Sequence, residues 1–299
     1  MRFGITPLQF DNTLGIIGAT GAPDFSQFNY ATIIREFQAQ GFSLMELTLD
    51  VRYVLPGGLT EQTVEALLEA KEDLGLNFTA HLPLWSLEPA TPNEFIRNAS
   101  VQCTVDAIEL VKPLDPVVYV LHSTGSLAAE FSRLDLPPPF DQVALEYINM
   151  QSKQSVEEIL DQTDIPSKKL ALENVEFPFD ATWRVAEALD TGVCLDTGHV
   201  LAGYSGDLTV QEFVNRYFSR IREVHLHDGG QELSGGGMIR RYDHQALGTG
   251  NLPIQEFLSE LLKRNYEGVI IFELTLQEAQ ESLKVIRERL PDFPIDTDI

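Results

Sequence analysis

Only two cysteines occur in this chain of 299 residues, and neither Cys103 nor Cys194 belongs to a CxxC or other paired spacing. Neither a disulfide framework nor a thiolate metal site is indicated. Cys103 is expected on the apolar face Ile96, Ala99, Cys103, Ala107, Leu110 of a helix, and Cys194 inside a buried strand. Basic residues are also scarce, with 21 Lys and Arg against 45 Asp and Glu for a formal charge of −24. Such a chain repels polyanions, so nucleic acid is a poor partner and a small soluble molecule a better one. No stretch offers the ~18 uncharged apolar residues of a membrane helix. The opening MRFGITPLQF has no basic segment followed by a long apolar run, and the expectation is a cytoplasmic protein with no membrane partner.

Short apolar runs do recur, alternating with amphipathic stretches in the pattern of a parallel sheet wound by crossover helices. The runs are 2–5, 42–48, 76–81, 117–122, 169–173, 192–196, 221–226 and 268–274. Eight strands with helices between them predict an α/β protein closed into a (β/α)8 barrel, and the length allows residues 1–299 to form it as one domain. Thr91 with Glu94, Ser155 with Glu158 and Thr209 with Glu212 have the spacing that starts a helix, a capping hydroxyl three residues before a carboxylate. Two segments break the rhythm: residues 123–140, with three consecutive prolines from Pro137 to Pro139, and residues 229–252, with seven glycines. Each follows a strand, so both are expected as long loops on the catalytic face.

The strand ends carry the chemistry. The second run contains Glu46, and the third to eighth end at or beside His81, His122, Glu173, Asp196, His225 and Glu273. In a closed barrel these positions converge on one mouth. Carboxylates so close repel one another unless a cation joins them, and nitrogen and oxygen donors without thiolates suit zinc, manganese, iron or cobalt. Glu46 is read as support for the rim. His199 stands three residues beyond Asp196, across a tight turn that lets both face one pocket. In His225-Leu-His227-Asp228 the two imidazoles share a side of the strand. His225 is taken as the ligand and His227 as rim structure, while Asp228 is an acceptor able to fix an imidazole tautomer. Arg240 and Arg241, close to His244 in an acidic chain, suggest either an anion clamp or a solvated charge pair.

The motifs Ala-His81-Leu-Pro, Leu-His122, Leu-Glu173-Asn, Leu-Asp196-Thr-Gly-His199, Val-His225-Leu-His-Asp, Asp-His244-Gln-Ala-Leu-Gly-Thr-Gly and Phe-Glu273-Leu together resemble the xylose-isomerase-like TIM barrels, which include the apurinic endonuclease family. The resemblance implies that Glu173, Asp196, His225 and Glu273 bind a metal found in both the sugar-isomerising and the endonuclease branches. It further implies a second metal at His81 and His122 with Glu173 bridging. His199 and His244 resemble two ligands of a third metal whose remaining ligand, an Asp, is replaced here by Tyr242 with Asp243 beside it. One to three divalent ions per chain follow. Glu173, Glu273 and His199 are expected to serve the chemistry, and Arg240, Arg241 and His244 to hold the substrate. A narrower resemblance, to cobamide-remodelling phosphodiesterases, rests on residues 97–101, Pro113-Leu-Asp-Pro116, Glu173-Asn-Val-Glu-Phe-Pro178 and His-Leu-His with Asp243-His244. Two reactions stay open: hydrolysis of a phosphodiester or phosphoester in a small metabolite, which the histidine count favours, and isomerisation or epimerisation of a sugar or sugar phosphate with Glu173 and Glu273 moving the proton.

Overall fold

The computed structural model describes residues 1–8, 28–55, 57–134, 136–233 and 237–296. Parts of the expectations for the N-terminal segment and the two long loops therefore lie outside the described residues. The strands are β1 (Arg2–Ile5), β2 (Leu44–Thr48), β3 (Asn77–His81), β4 (Tyr119–Leu121), β5 (Leu170–Glu173), β6 (Gly192–Asp196), β7 (Ile221–His225), β8 (Asp228–Leu233), β9 (Ile239–Gln245) and β10 (Val269–Phe272). Eight of them close a parallel barrel in the order β1-β10-β7-β6-β5-β4-β3-β2, and β8 and β9 pair with each other. The barrel strands coincide with the eight apolar runs, trimmed by a few residues at their ends.

Alternate residues of a barrel strand face its interior. Leu44, Val118, Val120, Ala171, Cys194, Val269 and Ile271 pack together and fill the lower interior. On the same parity, one step up, come Glu46, Thr79 and Glu223, all fully buried. The next step brings His81, His122, Glu173, Asp196, His225 and Glu273. The opposite parity, with Phe3, Ile5, Met45, Leu47, Phe78, Ala80, Leu172 and Leu195, packs outward within the main core that also takes in the helices. The site's side chains are thus the upward continuation of the packed barrel interior.

Helices such as Glu61–Leu74, Glu94–Val111, Phe140–Thr163, Val210–Tyr217 and Leu276–Arg289 cover the barrel. Thr209 with Glu212 forms the expected capping box. The other two expected pairs do not cap. Glu94–Val111 is capped by Asn93, and Ser155 lies inside the helix Phe140–Thr163. The buried face of Glu94–Val111 is Arg97, Ser100, Val101, Thr104, Ala107, Ile108 and Val111, so Ile96 is exposed and Cys103 only half-buried, against the expected apolar face. Arg97 wins an inward place because its guanidinium finds partners there: it donates to Ser155 Oγ at 3.2 Å and pairs with Glu158 at 3.1 Å. Both expected loops contain regular structure. Residues 123–140 include the short helix Ser126–Ser132, and the segment 229–252 contains most of the antiparallel ribbon β8–β9, at 229–233 and 239–245. Among the described residues, no helix is long and apolar enough to cross a membrane.

Candidate metal centre at the barrel mouth

Glu173 stands at the centre of the mouth, one per cent exposed, and its two oxygens face different partners. Oε2 lies 2.9 Å from His122 Nε2 and 3.3 Å from His81 Nε2. Oε1 lies 3.5 Å from both His225 Nδ1 and His199 Nδ1. His225 Nδ1 also approaches Glu273 at 3.1 Å and Asp196 at 3.9 Å. Beyond these, His199 Nε2 is 3.5 Å from Asp243 Oδ2, while His244 reaches Asp243 through Nδ1 at 3.5 Å and Glu273 through Nε2 at 3.4 Å.

Among the groups whose donor atoms lie within 4.8 Å of one another in the described residues are three that match the expected ligand sets: His81, His122 and Glu173; Glu173, Asp196, His225 and Glu273; and His199, Asp243 and His244. All six strand-end residues are thereby brought together. Asp243 completes the third set where Tyr242 occupies the position of the expected Asp. Main-chain carbonyls orient two of the imidazoles. His81 Nδ1 is 3.1 Å from Leu82 O and His199 Nδ1 is 2.9 Å from Asn174 O, so each Nδ1–H is donated away and Nε2 is left free toward the mouth. Asn174 also fixes the end of β6, accepting from Asp196 N at 2.7 Å and donating to Asp196 O at 3.0 Å.

The donor set fits a divalent cation on an observation independent of residue type. His225 is fully buried, and although carboxylate oxygens of Glu273 and Glu46 stand 3.1 and 3.4 Å from its two ring nitrogens, neither nitrogen makes a well-aligned hydrogen bond. A buried imidazole left so is costly unless its lone pair meets an ion. The electrostatics agree. Burial works to lower the pKa of His81, but the carboxylates of Glu173, Glu46 and Glu273 more than offset it and hold His81 up at about 10. His244 is likewise held up at about 11 against burial by Asp243 and Glu273. Burial opposes ionisation of Asp196, yet His199 and the hydrogen bond donated by His227 carry its carboxyl down to about 2. Protons on imidazoles thus balance the carboxylates where a cation would otherwise do so. Cys194 lies below the mouth, packed among the apolar side chains of the lower interior, and burial pushes its thiol well above the usual range.

The remaining expectations from the sequence fall out less evenly on the structure. Asp228 holds no imidazole; its carboxylate accepts the main-chain N–H groups of Gly229, Gly248 and Leu252 at 3.0, 2.9 and 2.8 Å, binding the Leu247-Gly-Thr-Gly segment to β8. Gly229 is needed there, because a Cβ would stand 2.7 Å from Tyr242 O. Arg240 and Arg241 are consecutive on β9 and face opposite sides of the ribbon. Arg241 lies over the Tyr204 ring and donates to Gly203 O, and Tyr204 in turn meets His199 edge-on. Arg240 is exposed opposite Glu232. Glu46 lies beneath the mouth, with an oxygen 3.4 Å from His225 Nε2, and accepts from Thr6 Oγ1 at 3.0 Å. Beside it, burial and the Glu46 charge raise Glu223 to about 8. A cavity of about 390 Å³ opens next to the ligand sets, lined among others by Leu84, His122, Thr124, Ser126, Arg133 and His199. Asn174 is a residue whose part the sequence reading did not assign, and His227, read there as rim structure, bonds Asp196 Oδ2 through Nε2 at 2.9 Å.

Residues 34–289 match the family described as the xylose isomerase-like TIM barrel, and the chain belongs to that family. An uncharacterised protein of Methanocaldococcus jannaschii is 24% identical over 245 residues, spanning 78% of this chain and 76% of that protein. Among solved structures, a D-tagatose 3-epimerase-like protein superposes with a TM-score of 0.68 at 22% identity, covering 97% of each chain. Endonuclease IV from Thermus thermophilus superposes with a TM-score of 0.62 at 20% identity, covering 98% of this chain and 100% of that one. At these identities the superpositions establish the fold.

Proposed function

We propose that this protein is a metal-dependent hydrolase that cleaves a phosphodiester or phosphoester in a small metabolite or cofactor, including the cobamides toward which the sequence motifs point. The observation that carries the reading is Glu173, whose one carboxylate faces two separate ligand sets, His81 with His122 on Oε2 and His225 on Oε1. His81, His122, Glu173, Asp196, His225 and Glu273 would hold divalent ions there, and such ions would supply Lewis acidity for activating water and for offsetting charge on phosphate oxygens. Glu173 fixes the spacing between the two sets. His81 presents Nε2 because Leu82 O takes its other N–H, and His199 presents Nε2 because Asn174 O does the same. The cavity lined by His122 and His199 receives the rest of the substrate. Arg241 on Tyr204, and not Arg240, is the loop arginine placed to meet an anionic group.

A second reading, a sugar or sugar-phosphate isomerase or epimerase, is favoured by one feature. Glu173, Asp196, His225 and Glu273 form a complete four-ligand set for a single ion, with Glu173 and Glu273 as the two carboxylates available for proton transfer. The likeness to a D-tagatose 3-epimerase-like protein accords with it.

Metal counting by mass spectrometry separates the two. In the hydrolase the double variant His81→Ala/His122→Ala loses about one metal equivalent, and its turnover of bis(p-nitrophenyl) phosphate falls by orders of magnitude. A wild-type enzyme that is active on keto-sugars with one ion per chain, and inert to phosphodiesters, overturns the proposal in favour of the epimerase.

A further inference from the structure

His227 follows His225 on the interior side of the barrel and is fully buried. Both its ring nitrogens are engaged. The main-chain N–H of His244 donates to Nδ1 at 3.0 Å. Nδ1 therefore bears no proton, Nε2 bears it, and at 2.9 Å Nε2–H donates to Asp196 Oδ2. Only this tautomer satisfies both contacts, and in it neither nitrogen has a lone pair left for an ion. His227 thus drops out of the group Asp196, His227, His244 and Glu273, whose atoms are otherwise close enough to share a metal.

The surroundings hold the ring in that role. The Thr197 hydroxyl donates to the His227 carbonyl at 2.7 Å, with the His225 carbonyl 3.1 Å away, and accepts the N–H of His227 at 3.1 Å. A Cβ on Gly198 would stand 2.3 Å from His227 Nδ1, so glycine is what leaves room for the imidazole. The ring stacks on His244 at 4.2 Å between centroids and 17° between planes. His244 itself has φ of 50°, a left-handed conformation that an L side chain adopts at a steric cost, and it lies where the β8–β9 ladder shifts register. Its N–H goes to His227 and not to β8.

We propose that His227 is a positioning residue that ties the Asp196 carboxylate on β6 to the main chain of His244 on the β8–β9 ribbon, so that both ligand sets are presented to the mouth in one fixed relation. The role rests on the metal reading above. It assigns the ribbon a function as well: the ribbon's ligands are placed by a hydrogen bond from the barrel, and not by the ribbon's own pairing.

Two conservative substitutions separate the two bonds. His227→Asn sets an amide oxygen where Nδ1 stood, keeping the acceptor for His244 and losing the donor to Asp196. His227→Gln reaches the Nε2 position, keeping the donor and losing the acceptor. Equilibrium dialysis of the metal-free proteins against Co2+ should show affinity lowered by about 10- to 100-fold in both variants, the usual effect of removing an outer-shell partner, while far-UV circular dichroism and a cooperative thermal melt show that each remains folded at the dialysis temperature. The 15N spectrum of metal-free wild-type protein should show His227 with its proton on Nε2. Variants that bind Co2+ as wild type does, or a proton on Nδ1, overturn the proposal. A wild-type protein that takes up no Co2+ at all overturns the metal reading first, and the positioning role with it.

Discussion

A single buried carboxylate decides how firmly the loop that follows the ribbon is held. Asp228 is fully buried and satisfies three main-chain N–H groups, those of Gly229, Gly248 and Leu252. Each such donor left without a partner costs about 1–3 kcal/mol, less where the backbone can relax toward water. Asp228→Ala should therefore destabilise the protein by about 3 kcal/mol, seen as a lower denaturant midpoint at unchanged slope, with faster hydrogen exchange at Gly248 and Leu252. Asp228→Asn should cost less, because its one oxygen can still serve Gly229 and Leu252 as Oδ1 does. An Ala variant as stable as wild type would show that water replaces the carboxylate freely. This residue also marks a boundary of what the sequence reveals. The strand-end positions of His81, His122, Glu173, Asp196, His225 and Glu273 follow from strand parity alone, so their convergence was legible. Which donors reach Asp228, and which groups His227 bonds, depends on how the ribbon folds back beside the short helix Thr197–Leu201. No local pattern encodes that.

At the level of elements, the eight strands were legible because each is an apolar run bounded by polar residues, and barrel closure followed from their number. The helix starts were less so. The pattern of a hydroxyl three residues before a carboxylate is a cap at Thr209–Glu212 and Thr275–Glu278, but at Ser155–Glu158 it sits within a long helix. Ser and Glu are ordinary helix-surface residues, so the spacing recurs where nothing begins. Ser155 instead donates to Pro89 O at 2.6 Å and accepts from the buried Arg97. Thr209→Ala should cost about 1 kcal/mol, the usual value for losing a cap. Ser155→Ala should cost more, about 2 kcal/mol, since it leaves a buried carbonyl and a guanidinium N–H without their partner. Equal or inverted losses in paired urea melts would mean that Ser155 bonds no more than a surface hydroxyl does. The ribbon was missed for a related reason: seven glycines in residues 229–252 read as a loop, whereas Gly229 is there so that two backbones can approach.

Across the whole molecule, charge sets what the mouth can admit. Likeness to endonuclease IV is a likeness of fold, and the ligand sets alone do not make a nucleic-acid enzyme. Forty-five Asp and Glu against 21 Lys and Arg give −24, and a protein binds a phosphate backbone chiefly by releasing its counterions through clustered Lys and Arg. The arginines near the mouth are few and already engaged. Arg133 pairs with Glu176, and Arg241 lies over Tyr204 with a bond to Gly203 O. One small anion can be met by such a pair of side chains, whereas a duplex needs a basic track many residues long. The metal-loaded protein should therefore show no binding to a fluorescent duplex containing an abasic site at ~0.15 M salt, where the Debye length is about 8 Å. Lowering the salt should not rescue it, because the long-range field of the acidic surface is less screened there and repels the duplex more strongly. Tight binding that weakens steeply as salt is added would reverse this inference, moving the substrate from a metabolite to DNA while leaving the metal centre as described.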